Sequence, residues 1–184
     1  ETLNLEKPAR AAGLTDEERI SVKGLGMLTL KPIIYAANVA DGDLATGNDM
    51  VNKVIDAAKN ENAKVVIVSA QVEAEMAELS LDEKKEFLEA LGVEDPDTVG
   101  LTALIRAAYD LLGLQTYFTT GPTETRAWTI VKGTKAPQAA GVIHQDFERG
   151  FIRAETVSYK DLVSAGSEKA AKEAGTWRSE GKEH

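Results

Sequence analysis

The stretch PIIYAANVADGDLATGNDMVNKVIDAAKNENAKVVIVSAQ, residues 32–71, decides the fold. Pro32–Ala37 is an apolar run too short for a helix and bounded by polar residues, and Val65–Val68 repeats the pattern. Each reads as a strand buried on both faces, as parallel sheets require. Between them Val51, Val54, Ile55 and Ala58 fall at helical spacing. Strand, helix and strand over about 35 residues make a βαβ unit, and such crossovers are almost always right-handed. The strands are then parallel, so both of their carboxyl ends lie on one sheet edge, where open α/β sheets hold their ligands.

Two polar clusters occupy that edge: Asn38-Val39-Ala40-Asp41 after the first strand and Ser69-Ala70-Gln71 after the second. A carboxamide such as Asn38 can pair with a purine's N7 and exocyclic group. Backbone N–H groups after Ser69 can meet the other side of the ring. The plainer alternative is that Asn38 and Ser69 satisfy turn backbone and cap helices, as these residue types often do. The phosphate half of a nucleotide site has no counterpart here. G-x-x-x-x-G-K-[ST] does not occur, and Gly24-Leu25-Gly26 has neither a third glycine nor a strand before it. Asp41-Gly42-Asp43 with Gly47-Asn48-Asp49 places glycine one position too late for an EF-hand loop and reads as a solvated turn. Glu73, Glu75 and Glu78 read as the solvated face of a short helix.

Composition narrows the class. The 184 residues carry 21 Lys+Arg against 30 Asp+Glu, a net charge of −9, with an apolar share of 43%. This is globular composition, long enough for one domain or two small ones. Cys is 0 and His 2, which leaves no disulfide, thiol nucleophile or Cys/His metal cluster. No apolar run approaches the ~20 residues of a membrane helix. The first residues, ETLNLEKPAR, hold neither an initiator Met nor a signal-peptide core, so the chain reads as an internal or processed segment of a larger soluble protein. Charge is segregated. Residues 28–113 hold seven basic and sixteen acidic side chains, a net −9, whereas 114–184 hold ten and nine, a net +1. Two units with different partners are expected, the acidic one repelling nucleic acid at long range.

Outside the βαβ core, residues 1–14 show weak periodicity and read as a frayed end. Thr15–Glu18 is a capping box opening a helix from Asp16 to about Leu25. Gln71–Leu79 reads as a short acidic helix. Ser80–Glu83 is a second capping box, before a helix with Phe87, Leu88 and Leu91 inward and Gly92 as its stop. Leu101, Leu104, Ile105, Ala108, Leu111 and Leu112 form an apolar stripe ending at Gly113. Beyond Gly121-Pro122 the texture changes: Thr125–Val131 and Phe151–Val157 look like strands. Ala139, Ala140, Ile143 and Phe147 have helical spacing after Pro137, and Ser167–Gly175 reads as a helix. This pattern suggests a small α+β module of β-grasp type.

His144 follows Ile143 on the expected helix, and Asp146 two places on does not share its face, so no catalytic dyad is implied. A partly buried histidine holding a backbone carbonyl or a neighbouring strand is the reading preferred. Lys132, Lys135, Arg149 and Arg153 can make an RNA-facing patch, but Glu148 and Glu155 interrupt it, so a mixed solvated surface is at least as good a reading. Trp128 fits a core position better than a base-stacking platform. No G-x-S-x-G occurs, which leaves a serine hydrolase without support.

LTLKPIIYAANVAD (28–41), VVIVSAQVEAEMAEL (65–79), LIRAAYDLLGLQTYFT (104–119) and TRAWTIVKGTKAPQAAGVIHQDFERGFIRAE (125–155) together resemble the C-terminal half of the Obg-like ATPase (YchF) family. The resemblance runs from about residue 5 to 183. It implies a P-loop NTPase domain interrupted by a helical insertion and followed by a TGS domain, a β-grasp module. On that mapping residues 1–14 resemble the end of the insertion, 15–113 the second half of the nucleotide domain, and 114–184 a TGS domain whose closing strands lie beyond His184. The P-loop, switch segments and hydrolytic residues have no counterpart here. The resemblance further implies ATP as nucleotide, Mg²⁺ in the intact protein with ligands outside this chain, a ribosome or RNA partner, a cytoplasmic or organellar-stroma setting, and neither membrane nor DNA. The base-reading loop of related GTPases is Asn-Lys-x-Asp; here Val39 replaces the Lys, and loss of both the Lys and the usual Asp is associated with tolerance of adenine. The chain departs from the pattern of the family it resembles by keeping Asp41, where Glu is common, and guanine exclusion is weakened accordingly. The implied roles are Asn38 on the purine edge, Val39 in backbone contact, and Ser69, Ala70 and Gln71 closing the opposite side.

Overall fold

The computed structural model describes residues 1–61 and 63–184. They form two compact units, Glu1–Leu112 and Gly113–His184.

In the first unit, Thr15 accepts from the Glu18 amide while Glu18 reaches back to the Thr15 amide, and helix α1 runs Asp16–Val22. A 3₁₀ turn extends it to Leu25, where Gly26 takes the left-handed conformation. Strand β1 (Ile34–Asn38), helix α2 (Asp49–Asn60) and strand β2 (Lys64–Val68) form the expected βαβ unit. β1 and β2 are parallel, in register from Ile34 opposite Lys64 to Asn38 opposite Val68. Asn48 caps α2, whose Val51 and Ala58 are buried. Helix α3 (Ala70–Glu75) follows β2 directly, then α4 (Leu81–Ala90), capped reciprocally by Ser80 and Glu83, and α5 (Gly100–Leu111). One core gathers Leu44, Val72, Met76, Leu88, Val93 and Val99; a second joins Val66 of β2 to Ala103 and Ala107 of α5.

The second unit pairs β3 (Leu114–Thr120) with β4 (Thr125–Val131) in an antiparallel hairpin. Helices α6 (Ala136–Ile143) and α7 (Gln145–Arg149) come next, then β5 (Ala154–Thr156), α8 (Tyr159–Ala165), α9 (Glu168–Glu173) and β6 (Arg178–Glu180). β5 and β6 pair antiparallel. The whole is α/β, a parallel strand pair with flanking helices followed by an α+β unit.

Several expectations need correction. β1 is not buried along its whole length: Ala36 is exposed, on the outer strand of a sheet that has only two strands among the described residues. The α5 stripe is rotated. Ala103 and Ala107 are the buried positions, while Leu101 and Ile105 stay about half exposed (51% and 50%). Small side chains let the helix lie close on Val66, and that close approach outweighs burial of the larger residues. α3 is shorter than the expected Gln71–Leu79. Residues 1–14 are not frayed: they form two 3₁₀ turns, Ala9 is buried, its amide donates to Thr29 Oγ1 (3.1 Å), and Arg10 pairs with Glu61 (2.6 Å). α8 and β6 are elements the periodicity did not announce; both are short, and β6 is polar throughout.

Candidate nucleotide-base site

The two polar clusters meet. Val68 is the last residue of β2, and its carbonyl accepts from the Val39 amide (2.9 Å) just beyond the end of β1. Two residues further along the chain, the Ala70 amide donates to Asn38 Oδ1 (2.9 Å). Asn38 and the Ser69–Gln71 segment are therefore joined directly, although they lie 32 residues apart in sequence at their point of contact. Ser69 is fully buried, and its hydroxyl accepts from the Val72 amide (3.4 Å) as the cap of α3.

These bonds decide what each group has left to offer. With Asn38 Oδ1 engaged, its exposed Nδ2 remains as a donor, which suits a purine N7. The Val39 amide is consumed by Val68, so its carbonyl is the backbone group that stays open. Asp41 opens a 3₁₀ turn, and its Oδ1 accepts from the Gly42 amide (2.9 Å), leaving the second carboxylate oxygen. The Gln71 side chain is turned along α3 towards Glu75 (3.0 Å). Capping and base reading are not exclusive here: Ser69 acts as a cap, whereas Asn38 ties the loops with one end of its amide and presents the other.

Sequence reasoning missed the part played by Glu73. Instead of facing solvent with Glu75 and Glu78, its carboxylate accepts from the Leu101 amide (2.7 Å) at the start of α5. That helix has Val99 at its cap position and no side chain of its own to serve. Gly100 makes the approach possible, because a Cβ there would clash with Glu73 Oε1, and its φ of +68° is one that glycine adopts without strain. The signal available was a helix start without Ser, Thr, Asp or Asn. An open groove of about 540 Å³ lies beside this contact, lined among others by Met76, Leu81, Leu88, Leu101 and Ile105. None of the base-loop residues lines it.

The reading of Asp43 and Asn48 as turn residues holds: Asn48 Nδ2 donates to Asp43 Oδ2 (2.7 Å) while its Oδ1 caps α2. Among the described residues no group of three or more His, Cys, Asp or Glu is placed to hold a metal ion. No helix of the described residues is long and apolar enough to cross a membrane.

In the second unit the basic positions lie on different elements. Lys135 is ion-paired with Glu183, which is held below its ordinary carboxylate range by that partner. Arg149 and Arg153 are exposed, on the last residue of α7 and in the segment before β5. Lys132 lies just beyond β4, its amide donating to the Gly113 carbonyl (2.7 Å). His144 corrects the sequence reading. It breaks the helix with extended backbone, is largely exposed, and caps α7 by accepting from the Asp146 amide at Nδ1 (3.2 Å). Trp128 is half-buried, donates to Thr119 Oγ1 (2.9 Å) and carries the Arg126 guanidinium 4.4 Å over its ring.

A parallel βαβ unit with both loop ends joined at one edge is the architecture of the second half of a P-loop NTPase sheet. The family model YchF-GTPase_C, described as a protein of unknown function (DUF933), matches residues 114–184. The chain is 53% identical over its whole length to the ribosome-binding ATPase YchF of Bacillus subtilis (strain 168), covering 50% of that protein. It is 38% identical to Obg-like ATPase 1 of Pongo abelii, with 99% of this chain and 46% of that protein covered. The structure of the Schizosaccharomyces pombe YchF GTPase superposes with a TM-score of 0.80 at 34% identity, over 98% of this chain and 48% of that one. The chain belongs to the YchF family of Obg-like ATPases and corresponds to its C-terminal half. It spans about half the length of the curated relatives it matches.

Proposed function

We propose that this chain is the base-reading and docking half of a ribosome-associated P-loop NTPase that binds and hydrolyses ATP in preference to GTP. The observation that carries the reading is the Ala70 amide bonded to Asn38 Oδ1, which brings the two loops to one place. In this reading residues 15–113 are the second half of the nucleotide domain, 1–14 the end of a helical insertion, and 114–184 a TGS-like domain. Asn38 Nδ2 meets the purine N7, the Val39 carbonyl faces the adenine amino group, and Ser69, Ala70 and Gln71 bound the far side of the ring. Adenine's exocyclic amine is a donor and guanine's oxygen an acceptor, so an open carbonyl favours adenine. The free oxygen of Asp41 pulls the other way, since a carboxylate accepts from guanine's N–H groups. Catalytic groups and the Mg²⁺ that accompanies nucleotide phosphates are assigned to no residue of this chain. The setting proposed is cytoplasmic.

Relatives named ribosome-binding ATPase and a neighbour named GTPase agree on a nucleotide and differ on the base. Calorimetric titration of the full-length protein with ATP and with GTP tests the assignment; a strong preference for GTP would reject it. A second reading takes its support from the relatives named ribosome-binding: the chain serves as a ribosome, RNA or protein docking module through residues 114–184, Lys132, Lys135, Arg149 and Arg153 included. Co-sedimentation with ribosomes, with and without residues 114–184, separates the two. Unchanged co-sedimentation on deletion would reject docking through this unit.

A further inference from the structure

We propose that Glu73 is a positioning residue for the purine-reading loop, an inference that rests on the nucleotide reading above. α3 is six residues long, and its first turn is the loop itself: Ser69 caps it, and the Ala70 amide is the group bonded to Asn38. A helix this short does not hold its own orientation, because isolated helices of a turn or two are unstable in water. Its placement comes from tertiary contacts, among them Met76, buried in the core at its C-terminal end. Val72 is buried in the core, Ser69 is fully buried at its start, and Glu73 reaches to the Leu101 amide of α5.

Val72 and Met76, four residues apart, tie one face of α3 to the core. Glu73 adds a tie to a second element, because its carboxylate is held by the Leu101 amide at the start of α5. Gly100 leaves room for that carboxylate, so two residues far apart in sequence serve one contact. Glu73 touches no purine; it acts through Ala70 and Asn38. Losing it releases the tie to α5 and loosens the first turn of α3, which shifts the Ala70 amide and the Asn38 amide with it, while groups that hold phosphate are untouched.

The test uses the full-length protein and two probes, MgATP and magnesium tripolyphosphate, which shares the phosphates and lacks a base. Glu73→Ala is expected to weaken MgATP by about fivefold, the effect of one cap-strength hydrogen bond, and to leave tripolyphosphate unchanged. Glu73→Gln retains an acceptor oxygen and restores most of the affinity. Gly100→Ala, which displaces the carboxylate sterically, gives the same selective loss and carries the comparison should Glu73→Ala not fold. An equal loss for both probes would show a general structural role and overturn the proposal, as would unchanged MgATP affinity. Failure of the unaltered protein to bind any purine nucleotide would instead bring down the nucleotide reading itself.

Discussion

Gly100→Ala should destabilise the first unit by more than its backbone alone requires, and the excess should vanish when Glu73 is already absent. A non-glycine residue at φ near +68° costs roughly 1–2 kcal/mol. The added methyl would also occupy the place of Glu73 Oε1. That oxygen ends a flexible side chain, so the clash is relieved by swinging it away, at the expense of the Leu101 cap. Removing a helix cap costs about 1 kcal/mol. Gly100→Ala should therefore cost about 2–3 kcal/mol, Glu73→Ala about 1, and the double variant about 2–3 rather than their sum. The coupling is about 1 kcal/mol, well above the few tenths by which independent sites depart from additivity. Urea unfolding followed by far-UV circular dichroism measures it. Tryptophan fluorescence does not, because Trp128 and Trp177 both lie in the second unit. Hydrogen exchange at the Leu101 amide gives a local readout, faster in all three variants. Strict additivity, or an unchanged Leu101 amide in Gly100→Ala, would refute the reasoning.

Asn38→Ala should cost about 1 kcal/mol and speed exchange at the Ala70 amide, whereas Asn38→Asp, which keeps an acceptor oxygen, should preserve its protection. Equal protection in Asn38→Ala would show that the loops are held together by other means. Glu61 is held below the ordinary carboxylate range chiefly by its hydrogen bond from Arg10, with a smaller contribution from the Tyr35 hydroxyl and against some desolvation. A lowered folded-state pKa stabilises above the unfolded carboxylate value and is lost as pH falls through the folded one. Acid titration should thus loosen residues 1–14 below about pH 4.5, and Glu61→Gln should remove that part of the pH dependence; an unchanged titration in Glu61→Gln would count against it. Taken alone, this chain should give no submicromolar binding of ATP in calorimetry, since base contacts must offset the entropy of association without phosphate attraction.

The βαβ unit was legible because its signals agree. Two apolar runs of strand length enclose a helix whose inward positions are all apolar, and no other pairing buries them as well. Both capping boxes were legible for the same local reason, since donor and acceptor lie within one turn. The face that α5 buries was not. Hydrophobic size pointed to Leu101 and Ile105, while the packing used Ala103 and Ala107, because closeness to β2 is a property of the partner surface and leaves no mark on the helix itself. His144 failed similarly: the apolar spacing runs through Ile143 and Phe147, and only the capping bond to the Asp146 amide shows that the helix is broken between them. For the site, the two clusters could be placed on one edge from topology. That they touch, through an amide 32 residues away, required coordinates.

The bond between Asn38 and Ala70 also constrains what this half can contribute. Its donor and acceptor are satisfied before any ligand arrives, so the loops need not be drawn together by a base, and the ordering cost of that step is removed in advance. What stays open is a small set of polar groups: one amide donor at Asn38, a carbonyl at Val39 and one carboxylate oxygen at Asp41. Under the proposed nucleotide reading each distinguishes one ring edge from another, and none carries the charge that attracts a triphosphate. A preformed edge of this kind supplies choice between bases more than strength of binding, because its few groups discriminate by mismatch: a buried donor facing a donor loses a hydrogen bond that neither water nor the protein replaces. Affinity must then come from phosphate contacts made elsewhere, and loop substitutions in this half should change the ratio of ATP to GTP bound far more than the affinity for inorganic phosphates.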